Sequence, residues 1–176
     1  MAKIKVTVAG CLGRMGQERT KQILSNNKLL FVGGFEHKSH PMINKKISDV
    51  STLSSNKAVT SDADQIIKSA NVLIDFTTPN STLLNIKKAA ENKTAIIIGT
   101  TGINSSQKNK IKSYSKKIPI LMSSNMSLGV NLLFNLVQQA ASVLKDFENE
   151  GGTLKAHSPK SQSFFRKIKK VWGDLT

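Results

Sequence analysis

The chain has 176 residues, 39% of them hydrophobic, which suits one globular core of ordinary size. It contains no run of about 18 apolar residues to span a membrane, and no charged-then-apolar N-terminal stretch of the secretory kind. The formal charge of +15 comes almost wholly from scattered lysines, Arg14, Arg19 and Arg166 being the only arginines; because specific phosphate recognition favours arginine's planar fork, we expect a solvated lysine surface, no specific nucleic acid and no membrane partner.

In chain order, Lys3 to Ala9 reads as a buried strand and Gly13 to Leu24 as a helix whose inner face includes Met15, Thr20, Ile23 and Leu24. Leu29 to Phe35 is a second strand, ended by Glu36. Residues 37–61 are polar and broken by Pro41 and many serines, which predicts a loop with room for one short strand. Asp62 is placed to cap a helix through Lys68, Val72 to Phe76 is a strand, and Thr78-Pro79-Asn80-Ser81 starts a helix that runs to Glu91. Thr94 to Ile98 is nearly pure apolar, which predicts burial on both faces of a parallel sheet. Ser105 to Lys116 follows as a helix and Ile118 to Met122 as a strand. After the polar loop Ser123 to Gly129 comes a long helix carrying Val130, Leu133, Phe134, Val137, Ala141 and Leu144 on one face. Strands alternating with helices predict an α/β fold, a Rossmann-like doubly wound parallel sheet, over residues 1–146. Residues 147–176 form a basic tail with Phe164, Phe165, Ile168, Val171 and Trp172 at helical spacing.

The first strand ends at Gly10-Cys11-Leu12-Gly13-Arg14-Met15-Gly16. Glycines at this strand-to-helix junction let the backbone approach a pyrophosphate, and the free N–H groups of the helix start bind its charge. The spacing is Gly-x-x-Gly-x-x-Gly, with Leu12 where the usual pattern has its middle glycine. Glu36 lies 20 residues beyond Gly16, where a carboxylate accepts from adenosine ribose hydroxyls. Its charge opposes the extra phosphate of NADPH, whereas the following His37 and Lys38 tolerate it, so NADH or NADPH is expected. Arg14 is a candidate for lying over the pyrophosphate or adenine. Cys11 sits near a helix N-terminus, which stabilises a thiolate, yet a small loop residue is the plainer reading.

Three later loops leave the carboxyl ends of strands, where sheets of this class bind ligands: Asp75-Phe76-Thr77-Thr78-Pro79, Gly99-Thr100-Thr101-Gly102 and Ser123-Ser124-Asn125-Met126. Each is separately explicable as a cap or turn. His37, His40 and His157 share no metal-ligand spacing with each other or with Cys11, so no metal site is expected.

Val-Ala-Gly-Cys-Leu-Gly-Arg-Met-Gly, Asp-Phe-Thr-Thr-Pro, Ile-Gly-Thr-Thr-Gly and Ser-Asn-Met-Ser-Leu-Gly-Val-Asn, in this order, resemble bacterial 4-hydroxy-tetrahydrodipicolinate reductase (dihydrodipicolinate reductase) over residues 4 to about 145. The resemblance implies an NAD(P)H-dependent reductase of the diaminopimelate and lysine pathway. It implies that Gly10, Cys11, Leu12, Gly13, Arg14 and Met15 hold the pyrophosphate and Glu36 the ribose. Gly99, Thr100 and Thr101 would line the nicotinamide side, and Ser123, Ser124, Asn125 and Met126 would close the pocket.

The family continues into a substrate-binding and tetramer-forming domain with a signature of the form Glu-x-His-His-x-x-Lys-x-Asp-x-Pro-Ser-Gly-Thr-Ala. This chain shows only Lys155-Ala156-His157-Ser158-Pro159-Lys160, so no catalytic residue is assigned. The matching stops abruptly, and the tail is read as the product of a truncation or a reading-frame change. Three functions follow as expectations: a reductase impaired by loss of its substrate half, a non-catalytic NAD(P)-binding module or sensor, or a basic tail that binds a membrane or nucleic acid. A small-molecule substrate is implied for the first. The family's homotetramer interface is expected to be missing, and the location to be cytoplasmic, in keeping with a single cysteine.

Overall fold

The computed structural model describes residues 2–123 and 135–139. By compactness the chain divides into Met1–Ser124 and Asn125–Thr176. In the first unit, six strands form one parallel sheet: β1 (Ile4–Ala9), β2 (Leu29–Phe35), β3 (Val59–Thr60), β4 (Val72–Asp75), β5 (Ala95–Ile98) and β6 (Ile120–Met122). Their order is β3-β2-β1-β4-β5-β6. Five helices connect them: α1 (Arg14–Ser25), α2 (Ile47–Val50), α3 (Ala63–Lys68), α4 (Pro79–Glu91) and α5 (Ser105–Tyr114). This is the expected doubly wound, Rossmann-like sheet. The chain leaves β1 toward β2 and leaves β4 toward β5, so the order reverses between the adjacent β1 and β4.

The period of two along each strand divides the core into two clusters. Val6 and Val8 pack with Ile23 of α1, Ile47 of α2, Phe31 and Val59. On the opposite face, Ala9, Leu73, Ile96 and Ile98 pack with Ile67 of α3, Ile86 and Ala89 of α4, and Ile111 of α5. Complete burial of an isoleucine such as Ile67, Ile86 or Ile96 contributes about 1.5–3 kcal/mol each.

Several local signals act as read. Asp62 Oδ1 accepts from Gln65 N–H at 3.0 Å and starts α3. Thr78 caps α4, with Pro79 at its first position. Asn104 and Gln107 form a reciprocal capping box at α5.

Other expectations are corrected. Met15 and Leu24 are 37% and 40% exposed, because the inner stripe of α1 runs through Gly16, Thr20 and Ile23. The other two lie one residue, about 100° of rotation, to either side. β5 does not bury both faces equally: Ile96 and Ile98 are buried, whereas Ala95 and Ile97 are half-buried. The polar segment after β2 holds a short helix, α2, besides its one short strand. The helix expected from residue 130 is described only at 135–139, which are helical and include the half-buried Val137. The expected tail helix lies outside the described residues.

Candidate cofactor site

Because all six strands are parallel, the loops that follow them open at one edge of the sheet. The loop after β1 enters the reversal between β1 and β4, where open sheets of this kind carry their ligand crevice.

Gly10 opens that loop at φ +66°, a left-handed conformation that favours glycine, and a Cβ there would stand 2.9 Å from Thr77 Cγ2. Gly13 is the N-cap of α1, supplies no side-chain cap, and is followed by a first turn without acidic residues. The N–H groups of Arg14, Met15 and Gly16 therefore lack a capping acceptor and are free for an anion. A Cβ on Gly16 would fall 2.0 Å from the Gly10 carbonyl oxygen, so its bare Cα lets α1 lie directly against the loop. The three glycines thus serve a turn, a cap and a close approach.

Leu12, in the place of the usual middle glycine, is held at both ends. Its N–H donates to Glu36 Oε1 at 2.8 Å, and its carbonyl accepts from Gln17 Nε2 at 2.7 Å. Glu36 is half-buried just past β2 and comes beside the glycine loop, as the sequence reading required for a ribose contact. Arg14 and Met15 are exposed at the helix start.

Cys11 is different. Its side chain is fully buried and packs so closely on Gly34 that a Cβ there would meet Cys11 Sγ at 2.7 Å. Burial first, and the Glu36 charge second, push its thiol up to about 12. The thiolate contemplated for the helix N-terminus is therefore not formed near neutral pH, because desolvation outweighs any help from the helix end.

The other loops are tied together from below. Asp75, 0% exposed, accepts at Oδ1 from Thr77 N–H (3.0 Å) and Thr77 Oγ1 (2.6 Å), and at Oδ2 from Asn85 Nδ2 (2.9 Å). Without such donors a buried carboxylate would be very costly. The Asp75 carbonyl accepts from Gly99 N–H at 2.9 Å, and the Ile98 carbonyl from Ser123 N–H at 3.1 Å, so each loop start is bonded to the strand beside it. The Phe76 ring occupies the space over Gly99, and the Arg19 guanidinium stands 5.8 Å from that ring's centroid.

Of the loop after β5, Thr100 is 5% exposed and its hydroxyl pairs with that of Thr82 at 2.8 Å, which ties the loop to α4. Gly99 is buried, whereas Thr101 presents an exposed side chain. Ser123 is half-buried at the end of β6, and Ser124, Asn125 and Met126 lie outside the described residues. Sequence reasoning missed Gln17, Gly34 and Asn85. Only Gln17, a polar side chain one turn inside α1, carried a local hint of its role. Among the described residues no group of His, Cys, Asp and Glu could hold a metal, and no helix is long and apolar enough to cross a membrane.

Comparison with known proteins adds ancestry to this geometry. Residues 4–126 match the family model for the dihydrodipicolinate reductase N-terminus, and residues 142–174 match that for the chaperone protein DnaJ C-terminal region. The 4-hydroxy-tetrahydrodipicolinate reductase of Pelagibacter ubique (strain HTCC1062) is 40% identical over 146 residues, which are 83% of this chain and 53% of that protein. The corresponding reductase of the Wolbachia of Brugia malayi is 41% identical over 144 residues, 81% of this chain and 53% of its own length. The chain thus spans about half the length of the relatives it matches. In fold, a dipicolinate-bound dihydrodipicolinate reductase from Paenisporosarcina sp. TG-14 superposes with a TM-score of 0.65 at 24% identity, over 79% of this chain and 54% of the other.

Proposed function

The chain belongs to the dihydrodipicolinate reductase family through its N-terminal domain, and on that premise we propose that it binds NADH or NADPH as the cofactor half of a reductase acting on 4-hydroxy-tetrahydrodipicolinate, in lysine and diaminopimelate biosynthesis. One observation carries the reading: an uncapped helix start, packed through Gly16 against the Gly10 turn, stands beside the Glu36 carboxylate.

The residues present fit the cofactor. The Gly10–Met15 backbone and the first-turn N–H groups of α1 would hold the pyrophosphate, and Glu36 a ribose. Gly99, Thr100 and Thr101 would line the nicotinamide side. The pairing of the Thr100 hydroxyl with that of Thr82 would hold this loop in place. The cofactor, when bound, supplies the hydride. The chain's part is to hold it still, because transfer requires a near-attack geometry.

The composition of residues 147–176 favours a second reading, a cofactor-binding module or sensor without turnover. Hydride addition leaves a carbanion that needs a positioned acid, and residues 147–176 carry no Glu-x-His-His signature to supply one. The match of residues 142–174 to the chaperone protein DnaJ C-terminal region supports a separate origin for this segment. A cytoplasmic location is in keeping with both readings.

Titration of the 176-residue protein with NADH and NADPH tests the first claim. Saturable binding is expected, and absence of binding by either overturns it. A coupled assay with dihydrodipicolinate synthase separates the two readings: turnover above background establishes the reductase, and binding without turnover the module.

A further inference from the structure

Asp75 ends β4, and its place in the sheet is central. It is in register with Ala9 of β1 on one side and Ile98 of β5 on the other. These residues form the last row of the sheet before the chain turns out into the loops that begin at Gly10, Phe76 and Gly99. All of them are 0% exposed, yet only Asp75 is polar. An apolar side chain would fill that place without loss of hydration, whereas a buried carboxylate must be matched by donors. Packing therefore does not account for Asp75, and its partners do.

Oδ1 accepts from both the N–H (3.0 Å) and the hydroxyl (2.6 Å) of Thr77. With its hydroxyl so held, Thr77 keeps its methyl Cγ2 against the Gly10 turn, 2.9 Å from where a Cβ on Gly10 would stand. Oδ2 accepts from Asn85 Nδ2 at 2.9 Å, which ties the strand end to α4. One turn earlier on the same face of α4, the Thr82 hydroxyl pairs with that of Thr100 at 2.8 Å. The Asp75 carbonyl accepts from Gly99 N–H at 2.9 Å. Asp75 thus meets the glycine loop through Thr77 and the Gly99 loop through its own backbone.

We propose that Asp75 is a positioning residue: its carboxylate sets the Gly10 turn against the Gly99 loop at the spacing a bound dinucleotide requires. The inference rests on reading the crevice as a dinucleotide site. Its three donors hold the carboxylate in one orientation, and with it the strand end from which both loops hang. A dinucleotide engages both loops at once, so a shift of either loosens it.

The test measures NADH and NADPH dissociation constants on the full chain, at a temperature where circular dichroism shows each variant folded. Asp75→Asn keeps the shape and the acceptor for Thr77 but turns an amide against the Asn85 amide, so cofactor binding should weaken about 10-fold. Adding Asn85→Asp restores the bond with donor and acceptor exchanged, and affinity should return to within about threefold of wild type. Thr77→Val keeps a methyl against Gly10 but takes one donor from Asp75; it should weaken binding about 3- to 10-fold, and it decides the matter where Asp75→Asn fails to fold. A residue that only stabilised the fold would lower Tm and leave the affinity of the folded protein unchanged. Variants that bind within about twofold of wild type, or a double variant that recovers nothing, overturn the inference and leave the dinucleotide reading intact. Failure of wild type to bind either cofactor overturns both.

Discussion

Replacing Gly16 with alanine sets two effects of opposite sign against each other. Gly16 is in the first turn of α1, where helix propensity alone favours alanine by up to about 1 kcal/mol. The new Cβ, however, would stand 2.0 Å from the Gly10 oxygen, 2.8 Å from the Gly10 carbonyl carbon and 2.9 Å from Cys11 Cα. All three are backbone atoms, so no side chain can rotate aside. Real Cβ atoms keep at least 3.0 Å, so helix and loop must part by about an ångström. That opening disturbs the contact of Cys11 with Gly34 and strains the Leu12–Glu36 bond. Overpacking of this kind costs about 3 kcal/mol, which leaves a net loss of about 2 kcal/mol after the propensity gain. The expected fall in Tm is roughly 6–10 °C for a unit of this size. Urea and thermal unfolding followed at 222 nm measure it, and NADH affinity should fall in parallel. Gly13→Ala is the control: its Cβ meets the Gly10 oxygen at 3.3 Å and its φ of −67° suits any residue, so its change should stay within about 1 kcal/mol. A Gly16→Ala protein as stable as wild type would refute the claim that close helix–loop approach, and not mere flexibility, requires glycine here.

Two further predictions concern buried polar groups. The Cys11 thiol, pushed up to about 12 from 9.0, keeps its proton when folded and loses it above pH 9 when unfolded. Stability should then fall by about 1.4 kcal/mol per pH unit from pH 9 upward, relative to Cys11→Ala; parallel urea midpoints for the two proteins between pH 8 and 10 would show the burial argument wrong. The Thr82–Thr100 hydroxyl pair predicts a non-additive cycle. Each single valine substitution strands one buried hydroxyl and should cost about 1–2 kcal/mol, whereas the double variant should cost about 1 kcal/mol less than the sum. Additive losses in denaturant melts would mean that the hydroxyls do not depend on each other.

What the sequence disclosed was whatever is local. β2 spans Leu29–Phe35, as the apolar run indicated, and Asp62 and Thr78 cap the helices they precede. That the glycine loop and Glu36 lie together was legible because both follow strand ends at a fixed spacing along the chain. The connections that hold the site together were not. Gly34 is glycine because Cys11 lies on it, and Asn85 is buried because Asp75 needs a donor. Such pairs are 10 or more residues apart, and only the packing of loop and helix on the sheet brings them into contact. The exposure of Met15 and Leu24 shows the same limit: one helix step decides inside from outside, and a count of apolar residues does not.

The crowding around the glycine loop also limits how this crevice can change under mutation. At Gly10, Gly16, Gly34 and Gly99 a single added methyl group would collide with a neighbour. Exposed Gly13, Arg14 and Met15 and half-exposed Leu12 are the positions where a side chain can change without breaking the side-chain bonds that hold the loop, whereas Glu36 carries one of those bonds. Change in this crevice is channelled through those four positions. Drift at the crowded glycines erodes the binding loop before any compensating variation can retune it.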